Sequence, residues 1–269
     1  MKTVTFSPNP NSAARAAGFL HEPNGEMPDR AKRPCVVICP GGGYAMLSER
    51  ETAPPAAAFF AKGYQVFVLY YSIRENAKNL QPLIELSNTV LTIRENSAEW
   101  GIVPNKIAVC GFSAGGHVAA CLGTLWDSPE LKAKTDTQEG GNRPDAMILC
   151  YPVLTAGEFT HSESAAFVCG GEPTAEQVGL FSLENQVSMK TPPAFLWHTF
   201  EDDCVPLENT LFFAAALRRF RIPFEYHVFQ KGGHGLSMCS EEVGTPNPHC
   251  AEWFPLCTQW LGDLFEFKE

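Results

Sequence analysis

The chain has 269 residues, 45% of them hydrophobic and 19% charged, and a formal net charge of −10. That balance excludes a wholly disordered chain and supplies ample material for a core. A negative field of this kind repels phosphates and anionic headgroups, which argues against nucleic-acid and membrane partners. No apolar run approaches the roughly 20 residues of a membrane span. The segment Met1–Phe6 lacks the apolar core of a signal peptide and alternates like an edge strand. None of the ten cysteines stands in a C-x-x-C pair, and several lie in apolar runs where a thiol behaves as a small hydrophobe. These features predict a reduced, cytoplasmic protein.

Residues 8–33 are polar, rich in Pro, Asn and Gly, and without a clear period, so they are expected to be a connection. Residues 34–40 form a β-branched apolar run bounded by prolines, the pattern of a strand buried on both faces. A helix is expected over 52–62, a buried strand over 64–71 and a long helix over 82–100. Further strands are expected at 106–110, 145–151, 193–199 and 224–229, with helices over 114–125, 206–220 and about 249–267. Strands alternating with helices predict one α/β domain over 1–269, with a mainly parallel sheet covered on both faces. Residues 153–190 are longer and less regular than the other connections, as expected of a lid or a wall of a binding site.

The sharpest local signal is Gly111-Phe112-Ser113-Ala114-Gly115, a G-x-S-x-G pentapeptide between a strand and a helix. Composition alone predicts roughly 0.1 chance matches in a chain of this length. The strand–turn–helix setting is the one a nucleophile elbow requires, so Ser113 is the expected nucleophile. A serine hydroxyl needs a base. Among seven histidines, His234 stands in a glycine-rich loop directly after the sixth of these internal strands, at the sheet edge where a general base belongs. His117, one turn into the elbow helix, is expected to pack or cap there. His198 and His227 lie inside strands, His161 and His249 in irregular segments, and His21 too early in the chain.

The acid is expected after the strand at 193–199, where Glu201, Asp202 and Asp203 compete. The D-x-x-V-P frame selects Asp202, leaving Asp203 as runner-up or as a cap for the next helix. The glycine cluster Gly41-Gly42-Gly43 after the first of these strands suits an oxyanion hole, with donors expected from Gly42, Gly43 and Ala114. Tyr44 follows directly and is expected to narrow the acyl side of the substrate site. The glycine cluster lacks the G-x-x-x-x-G-K-[ST] and G-x-G-x-x-G frames of phosphate-binding loops.

Five segments carry a family resemblance: Pro-Gly-Gly-Gly-Tyr at 40–44, Leu-Ser-Glu-Arg-Glu at 47–51, Ala-Val-Cys-Gly-Phe-Ser-Ala-Gly-Gly-His at 108–117, Pro-Ala-Phe-Leu-Trp-His-Thr at 193–199 and Gly-Gly-His-Gly-Leu at 232–236. With them the chain resembles, over nearly its whole length, the bacterial α/β-hydrolases of the acetylesterase or xylan-esterase-like group. The resemblance implies an α/β-hydrolase fold and a carboxylesterase acting on short acyl esters, often acetyl groups on sugars. Pro40 departs from lipase-type loops, which carry His at that point as a loop support outside the triad. The expected substrate is a small-molecule or oligosaccharide ester, with no cofactor and no metal, and self-association stays open. Phe159, Phe167 and Trp253 are candidates for stacking on a sugar ring, each equally suited to core packing. An amidase or peptidase would use the same machinery, a non-catalytic receptor would break the triad, and a metal hydrolase would need a ligand cluster that the sequence lacks.

Overall fold

A computed structural model of the protein describes residues 1–267. Eight strands form one sheet: β1 (Lys2–Phe6), β2 (Arg15–Leu20), β3 (Arg33–Cys39), β4 (Gln65–Tyr70), β5 (Ile102–Phe112), β6 (Ala146–Cys150), β7 (Ala194–Thr199) and β8 (Phe224–Phe229). Their spatial order is β1-β2-β4-β3-β5-β6-β7-β8. Strands β3 to β8 are parallel, and β2 joins β4 and β1 antiparallel. β1 lies at the sheet edge, as its alternation suggested. β2 corrects the expectation of a bare connection over 8–33: Ala16, Gly18 and Leu20 are buried while Ala17 and Phe19 are more exposed. The alternation was hidden because Gly18 occupies a position where a side chain would normally advertise it. A Cβ there would stand 2.4 Å from the Phe67 ring.

Eight helices cover the sheet: α1 (Ala53–Ala61), α2 (Gln81–Glu95), α3 (Ala114–Leu125), α4 (Pro129–Lys132), α5 (Ser162–Cys169), α6 (Ala175–Phe181), α7 (Glu208–Arg219) and α8 (Trp253–Leu264). Two apolar layers result, one on each face of the sheet. β3 is buried along its whole length, which matches the apolar run that follows Arg33 at its start. All twelve residues of α3 are buried. The helix can lie that close because it is built from Gly and Ala: a Cβ at Gly123 would stand 2.1 Å from Met147 Sδ. All ten cysteines are unpaired and eight of them are buried. Among the described residues no helix is long and apolar enough to cross a membrane.

In an open parallel sheet the carboxyl ends of the strands carry the site, because the loops that leave them converge on one edge. Here that edge gathers the loop after β3, the turn after β5, the loop after β7 and the loop after β8. The 153–190 connection, with α5 and α6, closes over the same edge.

Candidate active site

Ser113 sits between β5 and α3 at φ 52°, ψ −119°, a left-handed conformation that L residues adopt only under constraint. Two contacts impose it. The Ser113 amide donates to the Cys150 carbonyl at 3.0 Å, and its own carbonyl accepts from Val153 at 3.1 Å. The flanking glycines permit so tight a turn, since a Cβ at Gly115 would stand 2.0 Å from the Cys39 carbonyl oxygen.

The hydroxyl thus presented lies 2.7 Å from His234 Nε2. On the other side of that ring, Nδ1 lies 2.7 Å from Asp202 Oδ2. The remaining carboxylate oxygen accepts from the amides of Cys204 at 3.1 Å and Val205 at 2.9 Å. A carboxylate at Nδ1 can only accept, so the ring carries its proton on Nδ1 and offers Nε2 as acceptor to the serine. Burial alone would raise the Asp202 carboxyl. Donation from His198, His234 and the Val205 amide outweighs burial and holds it well below the usual carboxylate range.

The other two acid candidates are placed elsewhere. Glu201 braces the histidine loop through Lys231 and the Gly232 amide. Asp203 is exposed and has no contact to His234 among the described residues. It does not cap α7 either: that helix begins beyond Leu207 without a side-chain cap.

Gly42 and Gly43 both take positive φ, 117° and 62°. At Gly42 a Cβ would stand 2.3 Å from the Met46 carbonyl oxygen, so only glycine fits. The amides of Gly42, Gly43 and Ala114 donate to no group among the described residues. Gly41 is different, because its amide donates to Glu51 Oε2 at 2.8 Å.

Glu51 is one of several residues that local patterns did not reveal. It is 2% exposed. Its second oxygen accepts from the Tyr151 hydroxyl at 2.7 Å, which in turn accepts from the Ser237 amide at 2.8 Å. The Tyr151 ring stands edge-on to His234, with centroids 5.1 Å apart. One buried carboxylate therefore ties the glycine loop to the floor beneath the histidine. Burial pushes its carboxyl up, against the pull of those two donors.

His198 also has a role beyond core packing. It is fully buried, and its Nε2 lies 3.1 Å from Asp202 Oδ2 and 3.0 Å from the Val205 carbonyl. With two acceptors in front of it, that nitrogen carries a proton and acts as a second donor to the acid. A histidine inside an otherwise apolar strand is the signal that could have marked it, because a buried polar group needs a partner.

One expectation about substrate contacts is corrected, and one open choice is resolved. Tyr44 does not present its ring to an open acyl site. It is 2% exposed, and its hydroxyl donates to His117 Nδ1 at 2.8 Å behind the glycine loop. Positive φ at Tyr44 turns the chain inward and takes the ring with it. Trp253 is fully buried, stacked on Trp197 at 5.4 Å, with its indole N–H on the Ser237 carbonyl. Phe159 packs against Phe212, and Phe167 against the core.

His117 joins the elbow helix to α6, accepting from Tyr44 and bonding to the Phe181 carbonyl. Burial lowers it from an ordinary 6.5 to about 4, although the Phe181 bond pulls the other way. The unfolded chain therefore takes up a proton at this residue that the folded chain refuses. The stability His117 confers is full above about 6.5 and is lost as pH falls toward about 4. The loss amounts to about 3 kcal/mol at most. Urea unfolding of wild type and His117→Gln at pH 7 and pH 4 checks this: the variant is expected to lose less stability between the two. Equal losses would remove the assignment.

Among the described residues no three His, Cys, Asp or Glu side chains converge to hold a metal ion.

Sheet order, elbow and loop placement together define an α/β-hydrolase. The BD-FAE family matches residues 25–217, and the chain belongs to that family. It is 41% identical over 217 residues to endo-1,4-beta-xylanase B of Butyrivibrio fibrisolvens, covering 80% of this chain and 34% of that protein. It is 29% identical over 244 residues to an acetylxylan esterase of Xylanibacter ruminicola, covering 88% of this chain and 46% of that protein. The chain thus spans less than half the length of these two relatives. Solved structures match over nearly full length. An acetyl ester-xyloside bifunctional hydrolase from Caldicellulosiruptor lactoaceticus superposes with a TM-score of 0.85 at 35% identity, covering 98% of this chain and 92% of the other. A carboxylesterase from Lactobacillus plantarum superposes with a TM-score of 0.85 at 26% identity and complete coverage of both chains.

Proposed function

We propose that this protein is a serine carboxylesterase that removes short acyl groups, acetyl above all, from carbohydrate esters. The observation that carries the reading is the unbroken relay from Ser113 Oγ through His234 to Asp202, with two contacts of 2.7 Å. In this reading Ser113 Oγ attacks the ester carbonyl while His234 Nε2 takes its proton. The resulting imidazolium is stabilised by Asp202, which stays ionised. The tetrahedral oxyanion rests on the amides of Gly42, Gly43 and Ala114, whose donation is not spent elsewhere. His234 then protonates the leaving alcohol. Water, deprotonated by the same ring, attacks the acyl-enzyme and releases the acid and Ser113.

One observation supports the short acyl group: neither α5 nor α6, eight and seven residues long, offers the extended apolar face that a fatty chain would need. Support for the carbohydrate alcohol comes from the names of the relatives above. The buried, unpaired cysteines support a reducing cytoplasm as the site of action.

The test is kcat/KM across acetyl, butyryl and octanoyl nitrophenyl esters, followed by acetate release from acetylated xylo-oligosaccharides. The expected order is acetyl above butyryl and far above octanoyl, with acetate released from the sugar ester. Each methylene that fits a pocket is worth only about 0.8 kcal/mol, so an octanoyl optimum would need an apolar channel and would defeat the short-acyl reading.

A further inference from the structure

His161 lies in the connection that closes over the site, at the N-cap of α5. Its Nδ1 accepts from the Ser164 amide at 3.3 Å and stands 2.9 Å from the Ser164 hydroxyl. A backbone amide can only donate, so Nδ1 is the bare nitrogen and the ring proton sits on Nε2. That Nε2–H has no partner among the described residues. Burial lowers the His161 imidazole, with the nearby His234 acting in the same direction and Glu163 and Asp202 against it.

The ring edge faces the glycine loop. A Cβ at Gly43 would stand 3.5 Å from His161 Cε1 and 3.6 Å from Glu163 Oε2. His161 is also within electrostatic reach of His234 and Asp202, and Glu163 within reach of Cys204 beside them. The first turn of α5 therefore holds one neutral N–H donor and one carboxylate acceptor over the mouth of the Ser113 centre. Nothing in the hydrolytic steps uses either group.

We infer that His161 and Glu163 form the alcohol-side subsite of the Ser113 centre, donating to and accepting from free hydroxyls of a polyhydroxylated leaving group. The inference rests on the esterase reading above and adds which residues select the alcohol. A donor and an acceptor side by side match a pair of neighbouring hydroxyls, which each give one hydrogen bond and take one. The carboxylate would also disfavour an anionic alcohol.

The experiment compares wild type, His161→Asn and Glu163→Gln on three acetates: nitrophenyl acetate, glycerol monoacetate and acetylated xylo-oligosaccharides. Asparagine is a good N-cap, so His161→Asn keeps the helix start while removing the Nε2–H. The readout is the ratio of kcat/KM for a hydroxylated acetate over that for nitrophenyl acetate. The ratio is expected to fall about tenfold in His161→Asn and severalfold in Glu163→Gln, carried by KM. A merely structural role would lower all substrates together and leave the ratio unchanged, which overturns the inference. A wild type active on nitrophenyl acetate but inert on both hydroxylated acetates overturns it as well. Failure of the underlying esterase reading shows separately, as a wild type inert on nitrophenyl acetate or a Ser113→Ala protein as active as wild type.

Discussion

Ser113→Ala is expected to lower kcat on nitrophenyl acetate by about a thousandfold or more while the protein stays folded. The Ser113 hydroxyl is the group that His234 Nε2 meets at 2.7 Å, and among the described residues no other hydroxyl bonds that nitrogen. The elbow itself is held by backbone contacts of residue 113 and by the flanking glycines, none of which needs the hydroxyl. Alanine at the same positive φ therefore keeps the turn. Circular dichroism and the urea midpoint check the fold, and initial rates check the chemistry. Retention of more than about 1% of wild-type kcat would remove Ser113 from its role.

The second large effect is expected at Asp202. In Asp202→Asn the carbonyl oxygen keeps the amides of Cys204 and Val205, so the loop retains its shape. The new NH2 group then replaces Oδ2, facing two ring nitrogens that were both donating to it. His198 Nε2 has the Val205 carbonyl as a remaining acceptor, at 3.0 Å. His234 has none on that side and must move its proton to Nε2, where it can no longer accept from Ser113. Loss of the productive tautomer costs about a thousandfold or more in kcat. Asp203→Asn, on an exposed side chain with no contact to His234, is expected to stay within about twofold. The reverse ranking would transfer the acid role to Asp203.

The parts of the site that were legible in the sequence are those encoded by short, contiguous patterns at strand ends. Gly111 to Gly115 announces a turn that few other residues permit. Asp202 and His234 each follow a strand whose apolar run is plain, and the structure brings all three side chains together. The eight-stranded sheet was legible for the same reason, apart from β2, where alternation is carried by alanine and glycine. What the sequence did not disclose depends on contacts between distant segments. Glu51 and Tyr151 are 100 residues apart, and Tyr151 and Ser237 a further 86. Nothing in the neighbourhood of Glu51 distinguishes it from the solvated Glu49. Tyr44 was misplaced because adjacency in sequence to a glycine loop does not fix the direction of a ring; positive φ and the His117 bond do. Trp253 was open to either role until Trp197 and the Ser237 carbonyl occupied its face and its N–H. His161 was set aside because it lies in an irregular segment, yet the path of the chain brings it beside Gly43.

The central claim is that Ser113 is a nucleophile activated by His234 and oriented by Asp202. Covalent trapping tests it most directly: the protein is exposed to a small organophosphonate ester and the modified peptide is mapped by mass spectrometry. The account predicts one phosphonyl group per chain, attached to Ser113, formed quickly in wild type, slowly in Asp202→Asn and not at all in Ser113→Ala. A label on a different residue, or an active protein that takes up no label at Ser113, would contradict it.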